Sequence, residues 1–138
     1  MPWSLRSFLQ RAKKEIGLRG EVNVLLTSNS EMRALNKKFR KKDKPTDVLS
    51  FPTPAGDGIA GDIAISTEIA RAQAQRLGHS LDQELRVLLL HGLLHLAGHD
   101  HERDQGEMAR AEKKLRAKFE LPDSLTERGQ SRKIRSRS

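Results

Sequence analysis

The chain has 138 residues, enough for one domain with a real core and too few for two of ordinary size. It contains no cysteine, which excludes disulfides and thiolate metal sites and fits a reducing cytoplasm. Its net charge of +8 points to a polyanionic partner, nucleic acid or a ribosomal particle first, and its longest apolar run, Val87 to Leu90, is too short for a membrane-spanning helix. The first residues, Met1 to Arg6, have no apolar h-region, so a secretory signal peptide is not expected there.

In chain order, Ser4 is placed to cap a first helix. Leu5, Phe8, Leu9, Ala12 and Ile16 recur at helical spacing, and Gly17 closes it. Glu21 to Thr27 alternates, with Val22, Val24 and Leu26 on one side, and reads as a strand. Ser28 and Glu31 have the spacing of a capping box, opening a helix that buries Met32, Leu35 and Phe39. From Lys37 to Asp47 runs a basic cluster that Pro45 keeps from continuing as helix. Val48 to Phe51 is apolar enough for a strand, Pro52 to Gly58 is a loop expected to be mobile, and Ile59 to Ser66 is a further strand. Ser66 or Thr67 starts a helix with Ile69, Ala70 and Leu77 inward, ended by Gly78. Ser80 and Gln83 form a capping box for a long helix from Leu81 to Ala97. Gln105 to Phe119 is amphipathic, with Met108, Ala111, Leu115 and Phe119 on one stripe. Residues 1–121 are expected to form a single α+β domain, a small sheet packed on helices. Residues 122–138 read as a polar to basic tail, disordered when free.

The long helix carries the chemistry. Four of the five histidines fall within His91-Gly92-Leu93-Leu94-His95-Leu96-Ala97-Gly98-His99-Asp100-His101. His91 and His95 are one turn apart on one helix face, about 40° out of line. His101 points about 120° away if the helix continues. Gly98 resolves this, because it can take the left-handed conformation that ends a helix and lets the chain fold back. Three neutral imidazoles, His91, His95 and His101, with an open fourth position make a catalytic site for one zinc ion; imidazole also suits nickel, copper and iron. The spacing is that of the metzincin metal motif, except that Gly92 stands where those proteases carry the glutamate base. The metal geometry is kept and the peptidase base is missing.

These two stretches together make the chain resemble the YbeY family of bacterial endoribonucleases. The marks are the histidine run, Phe39-Arg40 followed by Pro45-Thr46-Asp47-Val48-Leu49-Ser50-Phe51, and Gly61-Asp62-Ile63 with Ile65-Ser66. The match runs from about Val22 to Phe119. The resemblance implies a zincin-like fold with a small mixed sheet, a buried central metal helix and a basic channel over the metal. It also implies zinc on His91, His95 and His101, a functional role for Arg40, and single-stranded precursor ribosomal RNA of the small subunit as substrate, in 3′-end maturation and ribosome quality control. His99 departs from the family, which has Tyr there, and is read as a bystander.

Arg40 is the candidate catalytic cation, since a guanidinium grips phosphate in bidentate fashion as charge builds on the non-bridging oxygens. Lys37, Lys38, Lys41, Lys42 and Lys44, together with Arg40, are the candidate RNA-binding residues through salt-sensitive phosphate attraction, although any one lysine has solubility as a competing role. Glu84 and Asp100 are candidates for orienting the ligand histidines. With Gly92 in the glutamate position, the base is open among a metal-held hydroxide, His99, Asp100 and the RNA 2′-hydroxyl. Four Phe, one Trp and no Tyr leave few base-stacking platforms, so recognition is expected to lean on phosphate and shape. Two rivals remain at this stage: a metallopeptidase or amidase, and an RNA-binding ribosome assembly factor with structural zinc.

Overall fold

In the computed structural model, residues 1–54, 58–100 and 103–128 are described. The elements run α1 (Trp3–Ile16), β1 (Glu21–Thr27), α2 (Asn29–Arg40), β2 (Val48–Pro52), β3 (Ile59–Ser66), α3 (Thr67–Leu77), α4 (Leu81–Leu96) and α5 (Glu107–Lys118). The three strands form one mixed sheet in the order β1-β3-β2, with β1 parallel and β2 antiparallel to β3. The fold is α+β, as the order of strands and helices implied.

The central strand explains how the layers are assigned. Successive β-residues point to opposite faces. Ile63 and Ile65 therefore meet the main core, with Leu5, Phe8 and Leu9 of α1 and Leu88, Leu89 and Leu93 of α4. Ala64, between them, joins Met32 of α2 and Leu49 of β2 in a smaller cluster on the other face. The sheet is thus sandwiched between α2 on one side and α4 with α1 on the other. Leu88, Leu89, Leu90 and Leu93 have no solvent exposure. Each such side chain contributes about 1.5–3 kcal/mol by its burial. Arg86, just before this run, pairs with Asp82 at 2.9 Å and lies over the Phe8 ring.

Several boundaries differ from the sequence reading. Ser4 does not cap α1, which begins at Trp3 with Pro2 as its cap; the Ser4 hydroxyl donates to Asp82 instead. α2 ends at Arg40, before Pro45, because Lys41 turns left-handed with φ of 58°. Phe39 is not in the core but 55% exposed, its ring 5.0 Å from Phe51. Leu77 is likewise exposed at the end of α3, where Ala70 and Ala74 supply the buried face. The reciprocal capping box of Ser80 and Gln83 is present, and α4 ends at Leu96, one residue before Ala97. The Pro52–Gly58 loop is described except for its middle, 55–57, and no helix is long and apolar enough to cross a membrane among the described residues.

The largest correction concerns the chain after Pro122. Residues 125–128 form a helical turn, and Ser124, Thr126 and Arg128 are buried. Composition suggested a solvated tail, but Thr126 meets buried Glu112 of α5 and Arg128 meets buried Glu84 of α4, while Ser124 donates to Glu127 within the turn, contacts that a hydropathy pattern does not register. The domain therefore extends through Arg128; the rest of the expected tail, 129–138, lies outside the described residues.

Candidate metal and phosphate site

A cleft of about 640 Å³ opens where the end of α4, the edge strand β2 and the segment after α2 meet. His91 and His95 form its floor. Val48, Ser50 and Pro52, the face of β2 turned toward α4, form one wall, and Arg40, Lys42 and Lys44 stand on the rim. The two Nε2 atoms are 3.1 Å apart. His91 is almost fully buried, and its Nδ1 lies 2.7 Å from Glu112 Oε2. Facing a carboxylate, Nδ1 carries the proton and donates, which leaves Nε2 with a lone pair aimed at the cleft. Burial alone would push the Glu112 carboxyl up. The hydrogen bonds from His91 and from the backbone and hydroxyl of Thr126 outweigh it and hold the carboxyl below its ordinary value.

Two nitrogens bound to one tetrahedral divalent ion at about 2.0–2.1 Å lie about 3.3 Å apart. The observed separation, the convergent imidazole nitrogens and the carboxylate behind His91 fit a metal centre. Among the described residues no third ligating side chain joins these two. His101, the third ligand expected from the spacing, lies outside the described residues. Gly98 has φ of 100°, the left-handed turn that the fold-back after α4 requires.

Gly92 has a packing reason. A Cβ there would stand 3.0 Å and 3.1 Å from the Ile63 side chain and 3.1 Å from Ser50 Oγ, and Ser50 donates a 3.2 Å hydrogen bond to the Gly92 carbonyl. α4 presses closely on the sheet at this residue, so a side chain at the position that holds the base in metzincins would need Ile63 and Ser50 to give by a few tenths of an ångström.

The candidate phosphate-binding residues divide. Arg40, Lys42 and Lys44 line the cleft, whereas Lys37 belongs to a separate groove with Arg33 and Asp43, and Lys38 sits 5.2 Å over the Phe39 ring. Lys41 is exposed and takes the left-handed position that ends α2. Asp43, the acid within the cluster, is bound at 2.7 Å by Arg33, whose hydrogen bond holds its carboxyl below the usual range. Buried Asn36 sets the loop: its side chain donates to Lys44 O at 2.9 Å, and its carbonyl accepts from Lys42 N. His99, Asp100 and Arg103 line the opposite rim, with the Asp100 carbonyl accepting from Arg103 and Asp104 in the turn after α4. Asp47 caps Val48 N at 2.8 Å and so fixes the start of β2, in keeping with a structural role.

Glu84 does not orient a ligand histidine. Fully buried, it forms a bidentate pair with Arg128 at 2.7 and 3.0 Å and meets His79 Nε2 at 2.6 Å. Seven residues separate it from His91, about 10 Å along the helix. The carboxylate that does support His91 is Glu112, which the stripe of Met108, Ala111, Leu115 and Phe119 passed over. Its signal was a glutamate four residues after Met108, on the apolar face of α5.

The model of the family described as Endoribonuclease YbeY matches residues 4–120. An endoribonuclease YbeY of Koribacter versatilis is 64% identical over 125 residues, covering 91% of this chain and 82% of that one. One of Solibacter usitatus is 52% identical over 128 residues, covering 93% and 86%. A solution structure of a Thermotoga maritima protein superposes with a TM-score of 0.59 at 37% identity, covering 80% of this chain and 75% of that one.

Proposed function

The chain belongs to the YbeY family of endoribonucleases, and we propose that it hydrolyses phosphodiester bonds of single-stranded ribosomal RNA precursors at a zinc centre built on His91, His95 and His101. The observation that carries this reading is the juxtaposition, in one cleft, of two convergent imidazole nitrogens 3.1 Å apart with Arg40 and two lysines on the rim. A peptide needs no such cationic rim, and Gly92 removes the base on which a metzincin peptidase relies.

Zinc held by neutral imidazoles keeps its double charge and supplies Lewis-acid polarisation of a phosphoryl oxygen or activation of water near neutral pH. The protein's own groups do the rest. Glu112 fixes the tautomer of His91 by taking its Nδ1 proton in a hydrogen bond. Arg40, exposed on the cleft rim, places two N–H donors against the non-bridging oxygens, where negative charge grows during cleavage. Lys42 and Lys44 draw the neighbouring phosphates along the rim, with the Asn36 side chain holding their loop in place. Ser50 and Pro52 supply a wall without charge, so recognition of individual bases is weak and the choice of cleavage point comes from the particle on which the RNA is presented. The small ribosomal subunit and its precursor RNA are the partners this implies, in the cytoplasm.

The test uses wild type, Arg40→Ala and His95→Ala purified by one route, each incubated with single-stranded RNA spanning the 3′ end of precursor small-subunit ribosomal RNA. Cutting by wild type that a chelator stops and that both folded variants lack supports the reading. Equal cutting by all three sinks it.

A further inference from the structure

The buried polar contacts of the last described residues lead back to His91. Thr126 donates to Glu112 Oε1 twice, from its backbone N–H at 2.8 Å and from its hydroxyl at 2.8 Å. The other oxygen, Oε2, is the one that faces His91 Nδ1. A carboxylate held only by the imidazole can turn about its final bond and tilt the ring with it. Two donors on Oε1 remove that freedom. We propose that Thr126 is a positioning residue for the metal site: by fixing the Glu112 carboxylate it fixes the direction of His91 Nε2. The proposal rests on the reading of His91 as a metal ligand.

The segment that carries Thr126 is itself held on both flanks. Arg128 forms its two-pronged pair with buried Glu84 and donates from Nε to Asp123 O at 3.0 Å. Glu127 is gripped by Arg116 at 2.9 and 3.1 Å, and its Oε1 also accepts from the backbone and hydroxyl of Ser124. Leu125, next to Thr126, reaches the wall of the cleft. The segment is therefore stiff enough to transmit position, and Thr126 lies beyond the span 4–120 that the family model matches. A threonine chosen only for packing needs neither donor aimed at a buried carboxylate. Hydrogen bonds to an ionised acceptor are the stronger kind, and removing the carboxylate partner of a ligand histidine typically alters metal affinity about 10–100-fold, so Thr126, one step further out, is placed at the low end of that range.

The experiment compares full-length wild type with Thr126→Ser, Thr126→Val and Thr126→Ala. Zinc affinity is measured by competition with a chromophoric chelator, the visible spectrum is recorded after loading with cobalt(II), and the metal-free proteins are melted to compare stability. The expected result is zinc affinity about tenfold weaker in the Val and Ala variants and within about twofold of wild type in the Ser variant, with a changed cobalt spectrum only where the hydroxyl is removed. If wild type takes up no metal, the functional reading falls and this one with it. If wild type binds zinc and a folded Val or Ala variant binds equally well with an unchanged cobalt spectrum, the positioning role alone is overturned. If neither variant folds while Ser does, the hydroxyl is a folding element, which also overturns it.

Discussion

His91 is 6% exposed, caged by α4, the sheet and Glu112, whereas Arg40, Lys42 and Lys44, on the same cleft, project from a helix end and a loop into solvent. The buried side relies on orientation, with the direction of the His91 ring fixed by Glu112, which Thr126 fixes in turn. The exposed side relies on field, and a long cationic chain needs only to reach a phosphate. Positional error is therefore costly on the floor and tolerated on the rim. Arg40 stands between the two: it is on the rim, yet the role proposed for it requires a particular pair of oxygens.

That contrast breaks first, and most visibly, at Arg40. Arg40→Ala is expected to lower kcat by about 10²–10³-fold while leaving the melting temperature near wild type, as measured by single-turnover cleavage and thermal denaturation. Arg40→Lys should recover only part of this, because an ammonium lacks the fork.

Gly92→Ala comes next and probes the floor. The added Cβ falls 3.0–3.1 Å from the Ile63 and Ser50 side chains, which must give by a few tenths of an ångström to admit it. The expected cost is about 1–3 kcal/mol in denaturant unfolding, with zinc affinity falling alongside. Loss of activity without loss of stability would separate the residue from the packing.

A smaller effect is expected at Glu127. Burial raises its carboxyl, but the Arg116 and Ser124 hydrogen bonds prevail and hold it below its ordinary value. A depressed carboxylate stabilises the fold above its unfolded pKa of about 4.3 and loses that contribution as the pH falls through the lower folded value. Glu127→Gln should therefore melt about 2 °C below wild type at pH 7, with the gap closing in that acid window.

The smallest change is at Lys42→Ala. RNA binding should weaken a fewfold at low salt, and the slope of log affinity against log salt should fall by about 0.7 for each phosphate of a single strand that is no longer neutralised. An unchanged slope would remove Lys42 from the phosphate path.

Periodicity and capping chemistry made much of the fold readable. Glu21–Thr27 and Ile59–Ser66 appear as strands with the expected ends, and Gly98 turns where the histidine spacing demanded it. The resemblance to the YbeY family held as well, its marks lying partly on these elements and partly on the segments between them, such as Pro45-Thr46-Asp47. What stayed hidden were groups whose meaning depends on a partner distant in sequence. Glu112 lies 21 residues from His91, Arg128 lies 44 from Glu84, and Asn36 owes its burial to two backbone groups of the next loop. Phe39 failed differently: its helical spacing was right, but Phe51 of β2 shields it only in part and leaves the ring 55% exposed.

The bidentate pair of Arg128 with Glu84 also bears on the order in which the protein is made. At about 5–20 residues per second, the ribosome adds Arg128 some 2–9 seconds after Glu84, the 44-residue interval between them. During that time the first turn of α4 carries an acid whose strongest partner does not yet exist, and Glu112 waits a shorter while for Thr126. The histidine helix can form early with His79 beside Glu84, but the bidentate pair of Glu84 is completed only once the chain has passed Arg128. Completion of the support beneath His91 is thereby a late event of synthesis, since Thr126 and Arg128 follow the helices they brace.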